Sequence, residues 1–139
     1  MTDIIIVGAG PAGLTAALYA LRAEKKVLLL EKAGFGGQVA LSPKIENFPG
    51  RAAVSGNAFS DELVEQVIAL GAEFAFASVT GIRRENDIFF VQTDDECYES
   101  KTVILACGVK HRHLGLPNEE ALIGQGVSYC AVCDGAFFK

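Results

Sequence analysis

The chain has 139 residues, half of them hydrophobic, with a net charge of −5, 15 glycines and four cysteines. That length suits one domain, or one domain and part of another, and the acidic balance disfavours nucleic acid, whose phosphates are met by clustered Lys and Arg. No apolar stretch reaches the ~18–20 residues that span a bilayer, and the opening Met-Thr-Asp carries no basic secretory region. No membrane association and a cytoplasmic setting are therefore expected, where a Cys-x-x-Cys pair is more often catalytic or metal-binding than structural.

Residues 3–7 (Asp-Ile-Ile-Ile-Val) form a continuous apolar, β-branched run, which is how a buried parallel strand reads. A Gly-rich turn, Gly8-Ala9-Gly10-Pro11-Ala12-Gly13, follows at once, and residues 14–23, rich in Ala and Leu, predict a helix packed close to a sheet. Residues 27–30 predict a second buried strand, ended by Glu31. Strand, turn, helix, strand and acid make one βαβ unit. Residues 32–58 lack periodicity and are rich in Gly and Pro, which predicts an ordered loop with one short helical turn. A loop of that length is usually functional or disordered; Phe35, Ile45 and Phe48 favour function, through packing on something.

Phe59, Leu63, Val64, Val67 and Ile68 fit a helical stripe stopped by Gly71. A short strand is expected at 73–76. Residues 78–84, 88–92 and 97–99, separated by the turn clusters Glu85-Asn86-Asp87 and Asp94-Asp95-Glu96, predict a three-stranded antiparallel meander. Residues 101–106 predict a further buried strand closing at Cys107-Gly108. Residues 117–126 read as a connector with one helical turn, after which Cys130 opens the last segment.

Two motifs carry chemistry. In the Gly-rich turn, Gly8 permits the tight bend, Gly10 lets the backbone approach a pyrophosphate, and Gly13 lets helix and strand pack closely. The pyrophosphate would sit at a helix N-terminus, where free N–H groups and the dipole favour negative charge. Glu31 lies about 20 residues further on, where an acid binds a ribose hydroxyl pair. The competing readings are a glycine turn that only packs the sheet and a plain surface acid. The motif does not choose FAD over NAD; the meander favours FAD, because simple NAD domains continue with further βα units, a step that rests partly on fold analogy.

The second motif is Cys130-Ala131-Val132-Cys133-Asp134-Gly135, a pair able to cycle between dithiol and disulfide. A thiol near a helix N-terminus has a lowered pKa, and Asp134 is available as proton donor or acceptor. Zinc is the main rival, but a structural site needs four ligands from closely spaced pairs. Cys97, Cys107, His111 and His113 are poorly spaced for that, so no metal is expected. A structurally inert pair is the other alternative. Cys97 and Cys107 read as small buried hydrophobes. His111 and His113 read as connector residues with no partner acid nearby, within a short basic cluster of solvated-loop character.

Taken together these residues resemble the low-molecular-weight flavoprotein thioredoxin reductases, in order, over essentially the whole chain. Gly8 to Gly13 resembles that family's FAD pyrophosphate turn, Gly36-Gly37-Gln38 its flavin-contact motif, and Ile45-Glu46-Asn47-Phe48-Pro49-Gly50 its motif near the isoalloxazine. Ile104-Leu105-Ala106-Cys107-Gly108 stands where the family commonly has Ala-Thr-Gly, with Cys107 in place of the Thr; Leu114-Gly115-Leu116-Pro117 and the Cys-x-x-Cys-Asp-Gly run also fit.

The resemblance implies an α/β, Rossmann-like FAD-binding three-layer fold, a parallel sheet with helices plus an antiparallel three-stranded meander, followed by the start of a second nucleotide-binding domain. It implies an FAD-binding portion at 1–113, a hinge at 114–117 and the beginning of an NADPH domain at 118–139. The FAD would be lined by Gly8, Gly10, Pro11, Ala12, Gly13, Glu31, Lys32, Ala33, Gly34, Phe35, Gly36, Gly37, Gln38, Ala106 and Gly108, with Asn47 near the flavin and the Val79 backbone at the adenine. Cys133 would exchange electrons with the flavin, Cys130 would attack the substrate disulfide, and Asp134 would protonate the leaving thiolate. Electrons would pass from NADPH through FAD to this pair and on to thioredoxin or a thioredoxin-like protein, in an enzyme expected to be a homodimer. The family continues well past this length with a second nucleotide motif and a further FAD segment, so these residues alone are expected to be an incomplete, inactive portion. Other readings are a related Cys-x-x-Cys flavoenzyme (peroxiredoxin-reductase-like, dithiol oxidase or ferredoxin-dependent) and a non-enzymatic nucleotide-binding module.

Overall fold

A computed structural model describes residues 1–131 of the chain, which divides into two compact units, Met1–Gly108 and Val109–Lys139. In the first, β1 (Thr2–Val7), β2 (Val27–Glu31), β3 (Glu73–Phe76), β4 (Val79–Glu85), β5 (Ile88–Thr93) and β6 (Cys97–Leu105) form one sheet in the order β3-β2-β1-β6-β5-β4. The β3-β2-β1-β6 portion is parallel and the β6-β5-β4 portion antiparallel.

Period-two alternation sends β1 side chains to two different cores. On one face Ile6 and Leu29 are buried against Leu14 and Ala17 of α1 (Pro11–Arg22) and Val67 of α2 (Gly56–Ala69). On the other, Ile5, Leu28 and Leu30 are buried with Val91 of β5, and Val79, Tyr98 and Val103 pack around them. In the strand order β5 and β2 are separated by β1 and β6, yet Val91 belongs to the same buried cluster as Ile5, Leu28 and Leu30.

One strand differs from expectation. The runs predicted separately at 97–99 and 101–106 are the single strand β6. Its hinge is Ser100, wholly buried, which pairs with Phe89 of β5 on one side and Thr2 of β1 on the other. The polar Ser100 reads as a break, but its hydroxyl donates to the Thr102 carbonyl oxygen at 2.9 Å, so a buried polar group is satisfied inside the strand.

Both helices start earlier than their apolar patterns predict. Pro11 opens α1, where its missing N–H costs nothing. Ser55 caps α2, its Oγ accepting from the Ala58 amide at 3.2 Å. The long loop holds the expected helical turn as a 3₁₀ helix, Gly37–Leu41, and is closed by a bridge between Ile45 and Val54. Its aromatics pack as expected: Phe35 lies 5.0 Å from the Phe74 ring and Phe48 lies 4.8 Å from the Phe59 ring. Cys97 and Cys107 are free but exposed, which corrects their reading as buried hydrophobes. Cys97 begins β6 and Cys107 lies two residues past its end.

In the second unit the connector's helical turn is α3 (Glu119–Leu122), followed by a bridge between Ile123 and Val127. Cys130 is disulfide-bonded. Cys133 and Asp134 lie outside the described residues. Among the described residues no helix is long and apolar enough to cross a membrane, and no group of three potential metal ligands occurs.

Candidate functional site

The Gly-rich turn lies at the C-terminal ends of β1, β2 and β6. The Gly8 amide donates to the Leu30 carbonyl oxygen at 2.8 Å and the Ala106 amide donates to that of Val7, also at 2.8 Å. Gly8 has a φ of +102°, and a side chain there would collide with the Ala106 carbonyl. Gly13 faces the Gly8 carbonyl oxygen too closely for any Cβ. Protein packing therefore accounts for both of these glycines.

Gly10 is different. Its φ of −78° suits any residue, and a Cβ built on it would lie 3.9 Å from the Gly36 carbonyl oxygen, an ordinary van der Waals distance. Neither backbone nor packing requires glycine here. What a Cβ would fill is the space in front of the first turn of α1, where no side chain caps the helix. Uncapped N–H groups at the positive end of a 12-residue helix, faced by a residue without a side chain, form a cradle for an anion. The residues present fit a dinucleotide's pyrophosphate.

The Gly-Gly-Gln segment adjoins this cradle. The Gly36 amide donates to the Ala9 carbonyl oxygen at 2.8 Å, and a Cβ on Gly37 would lie 3.6 Å from the Gly10 Cα. Gly37 and Gln38 then begin the 3₁₀ helix. Glu31 joins the two motifs: its Oε2 accepts from the Ala9 amide at 2.8 Å and its Oε1 from the Ala33 amide at 2.9 Å. The acid thus locks the Gly-rich turn to the end of β2, a task its spacing did not reveal, while a carboxylate's other lone pairs stay open to hydroxyl groups. Lys32, Ala33 and Gly34 are exposed beside it. The Ala77 amide donates to the Glu31 carbonyl oxygen at 2.9 Å, so the chain enters β4 beside this acid, with Val79 two residues on. Asn47 is exposed within the loop closed by the Ile45–Val54 bridge, and Gly108 is exposed at the end of the first unit.

Two residues that support the site have no obvious sequence signal for function. Ser60, 2 % exposed, sits where a Cβ on Gly36 would go and donates to the Gly56 carbonyl oxygen at 2.8 Å. Gly56 leaves room for the Val39 carbonyl, and its amide donates to the Ser42 carbonyl oxygen at 2.8 Å. The available clue was Ser60 on the apolar stripe of α2, three and seven residues before Leu63 and Val67, where a polar side chain needs a buried partner.

In the second unit the expectation that His113 lacks a partner acid is corrected. Glu119, 5 % exposed, brings Oε1 to 3.3 Å from His113 Nδ1. The same carboxylate accepts from the amides of Leu114 (2.8 Å), Gly115 (2.7 Å) and Leu116 (3.1 Å). Burial alone would raise the Glu119 pKa, but these amides and the nearby His113 hold it below the ordinary value. Asn118, at a φ of +60°, turns the chain so that the acid points back at the residues preceding it.

The profile of the family described as "Pyridine nucleotide-disulphide oxidoreductase" matches residues 2–139. The chain is 45% identical over 138 residues to a thioredoxin reductase of Treponema pallidum (strain Nichols), covering 99% of this chain and 45% of that protein. Among solved structures it is similar to thioredoxin reductases of Lactococcus lactis (45% identity, TM-score 0.84) and Streptococcus pyogenes MGAS5005 (45% identity, TM-score 0.87), with 99% of this chain and 45% of each of those chains covered. The chain spans a little under half the length of these relatives.

Proposed function

The chain belongs to the pyridine nucleotide-disulphide oxidoreductase family, and we propose that it forms the FAD-binding portion and the redox segment of a thioredoxin reductase. The observation that carries this reading is Gly10, a glycine that neither its φ nor its packing demands, placed before the uncapped first turn of α1. Bound FAD would supply two-electron transfer between a nicotinamide and a thiol pair. The protein's share is to hold it: the first turn of α1 takes the pyrophosphate, Glu31 fixes that turn and faces the ribose, and Gly36 to Gln38 lie along the flavin. Residues 1–113 make the FAD portion, 114–117 a hinge and 118–139 the start of an NADPH domain; the division at Val109 and the amide cluster around Glu119 support a connector there.

The thiol chemistry is disulfide exchange. The Cys130 thiolate attacks one sulfur of thioredoxin's disulfide, forming a mixed disulfide and releasing the other sulfur, which takes a proton from Asp134. Cys133 then displaces thioredoxin, leaving Cys130–Cys133 oxidised and the partner reduced. The disulfide at Cys130 supports this assignment, as do the thioredoxin reductases among its relatives. In the whole enzyme NADPH is the electron source, the assembly is a homodimer and the setting is cytoplasmic.

The test is an FAD titration followed by flavin fluorescence, on the chain and on Gly10→Val. Saturable binding that weakens at least about tenfold in the variant, the size of one lost amide–phosphate bond, with unchanged circular dichroism, supports the reading. Equal affinity, or no binding by either, overturns it.

A further inference from the structure

Three features stand in a row along the C-terminal edge of the parallel strands. β1 runs into the Gly-rich turn that opens α1, β2 ends in Glu31, and β3 ends in Phe76. The three strands are neighbours in that order. Neighbouring strands lie about 4.8 Å apart, so the row runs about 10 Å from the turn to Phe76. Register sets Phe76 beside Glu31, just as it sets Phe74 beside Leu29. Leu29 and Phe74 both belong to the core shared with α1 and α2. Side chains two residues apart on a strand share a face, so Glu31 and Phe76 project side by side on that same face. The Ala77 amide, donating to the Glu31 carbonyl oxygen at 2.9 Å, fixes the end of β3 there.

The core does not use the Phe76 ring. Phe35 and Phe74, with ring centroids 5.0 Å apart, pack against the buried cluster, and Phe76 does not. Its ring lies 5.2 Å from that of Phe35, with planes at 40°, yet the residue is 63 % exposed. β3 is the last strand on its side of the sheet, so no further strand among the described residues covers it.

A dinucleotide has the same order of parts: pyrophosphate, ribose, base. With the pyrophosphate at the first turn of α1 and the ribose hydroxyls at Glu31, the next group along the row is the base. The next side chain along the row is an exposed aromatic ring, and bases stack on such rings.

We propose that Phe76 is a binding residue for the adenine of FAD, its ring stacking on the base while Phe35 supports it from the side. This rests on the reading of the Gly-rich turn and Glu31 as a dinucleotide site. It adds what those two features cannot supply, a preference among bases, because pyrophosphate and ribose are common to every nucleoside diphosphate.

The experiment measures ADP and UDP binding to the full chain by calorimetry, beside the FAD titration, for wild type, Phe76→Leu and Phe76→Tyr. The two nucleotides share ribose and pyrophosphate and differ in the base, of which the larger purine offers more area for stacking. Wild type is expected to prefer ADP over UDP. Phe76→Leu is expected to bind ADP and FAD at least about fivefold more weakly, the low end for one base–aromatic stack, and to bring the ADP-to-UDP preference close to one. Phe76→Tyr keeps a stacking ring and retains both affinity and preference. A substitution that only disturbs the fold weakens ADP and UDP together and leaves their ratio unchanged, and that result overturns the proposal. Unchanged ADP affinity in Phe76→Leu, or no base preference in wild type, overturns it too. Those outcomes leave the dinucleotide site standing wherever Gly10→Val still weakens FAD, whereas a wild type that binds neither ADP nor FAD overturns both readings.

Discussion

The Val39 carbonyl oxygen occupies the place that a Cβ on Gly56 would need, so the 3₁₀ helix and the first turn of α2 meet backbone to backbone. The contact is completed by the Gly56 amide donating to Ser42 at 2.8 Å. Gly56→Ala must push the two segments apart, and overpacking of this kind costs about 1–3 kcal/mol. The urea midpoint is expected to fall accordingly, with weaker FAD binding because Gly36 to Gln38 move. An unchanged midpoint would mean that the 3₁₀ helix is not held by this contact.

Glu31 carries a second prediction. With both carboxylate oxygens engaged by backbone amides, Glu31→Gln turns one acceptor into an NH₂ that faces an N–H. A donor left without an acceptor costs about 1–3 kcal/mol. The variant is expected to lose thermal stability even without nucleotide, followed by calorimetry of the free chain. A free-chain stability equal to the wild type would leave ribose binding as the acid's only role.

Asp3 links β1 to both of its neighbours: Oδ1 accepts from Lys101 Nζ at 2.7 Å and Oδ2 from the Lys26 amide at 3.0 Å. The Lys101 hydrogen bond, then the Lys26 amide, lower its pKa from the ordinary 3.8 to about 2. The folded-state pKa lies below the unfolded one, so the stabilisation is complete above the unfolded value and is lost as pH falls through the folded one. The difference in denaturation midpoint between wild type and Asp3→Asn is expected to be constant above pH about 5, to shrink between about 4 and 2, and to vanish below that. A difference that persists unchanged to pH about 2 would remove the ion pair as its source.

How far the sequence could be read depends on the range of the interaction. The apolar runs at Ile4 to Val7 and Val27 to Leu30 are local patterns, as is the Gly-rich turn, and they fix the βαβ unit and the anion cradle. The meander was legible from its turn clusters, but the continuity of β6 was not, because Ser100 looks like a break until its hydroxyl is seen to bond within the strand. Ser60, Gly56 and the second task of Glu31 escaped because each acts on a segment far along the chain, where no period links the two. Glu119 escaped for another reason: a carboxylate that gathers three amides depends on Asn118 taking a left-handed turn, which composition does not announce.

Glu119 carries the last prediction. Three amides donate to one carboxylate that is 5 % exposed, so Glu119→Gln leaves at least one of Leu114, Gly115 or Leu116 facing an NH₂. Amide exchange at these three positions is expected to quicken about tenfold or more, equivalent to losing one charge-assisted bond, while exchange in β1 and β6 stays unchanged. The same loss is expected in the wild type on acidification. Since the amides keep the Glu119 pKa below its ordinary value, their protection should be complete above the ordinary carboxylate range and should fall only as pH drops beneath it. Hydrogen exchange read by NMR against pH separates the two routes to the same loosened turn, and protection that survives in both Glu119→Gln and acid would mean that the connector is held by something other than this carboxylate.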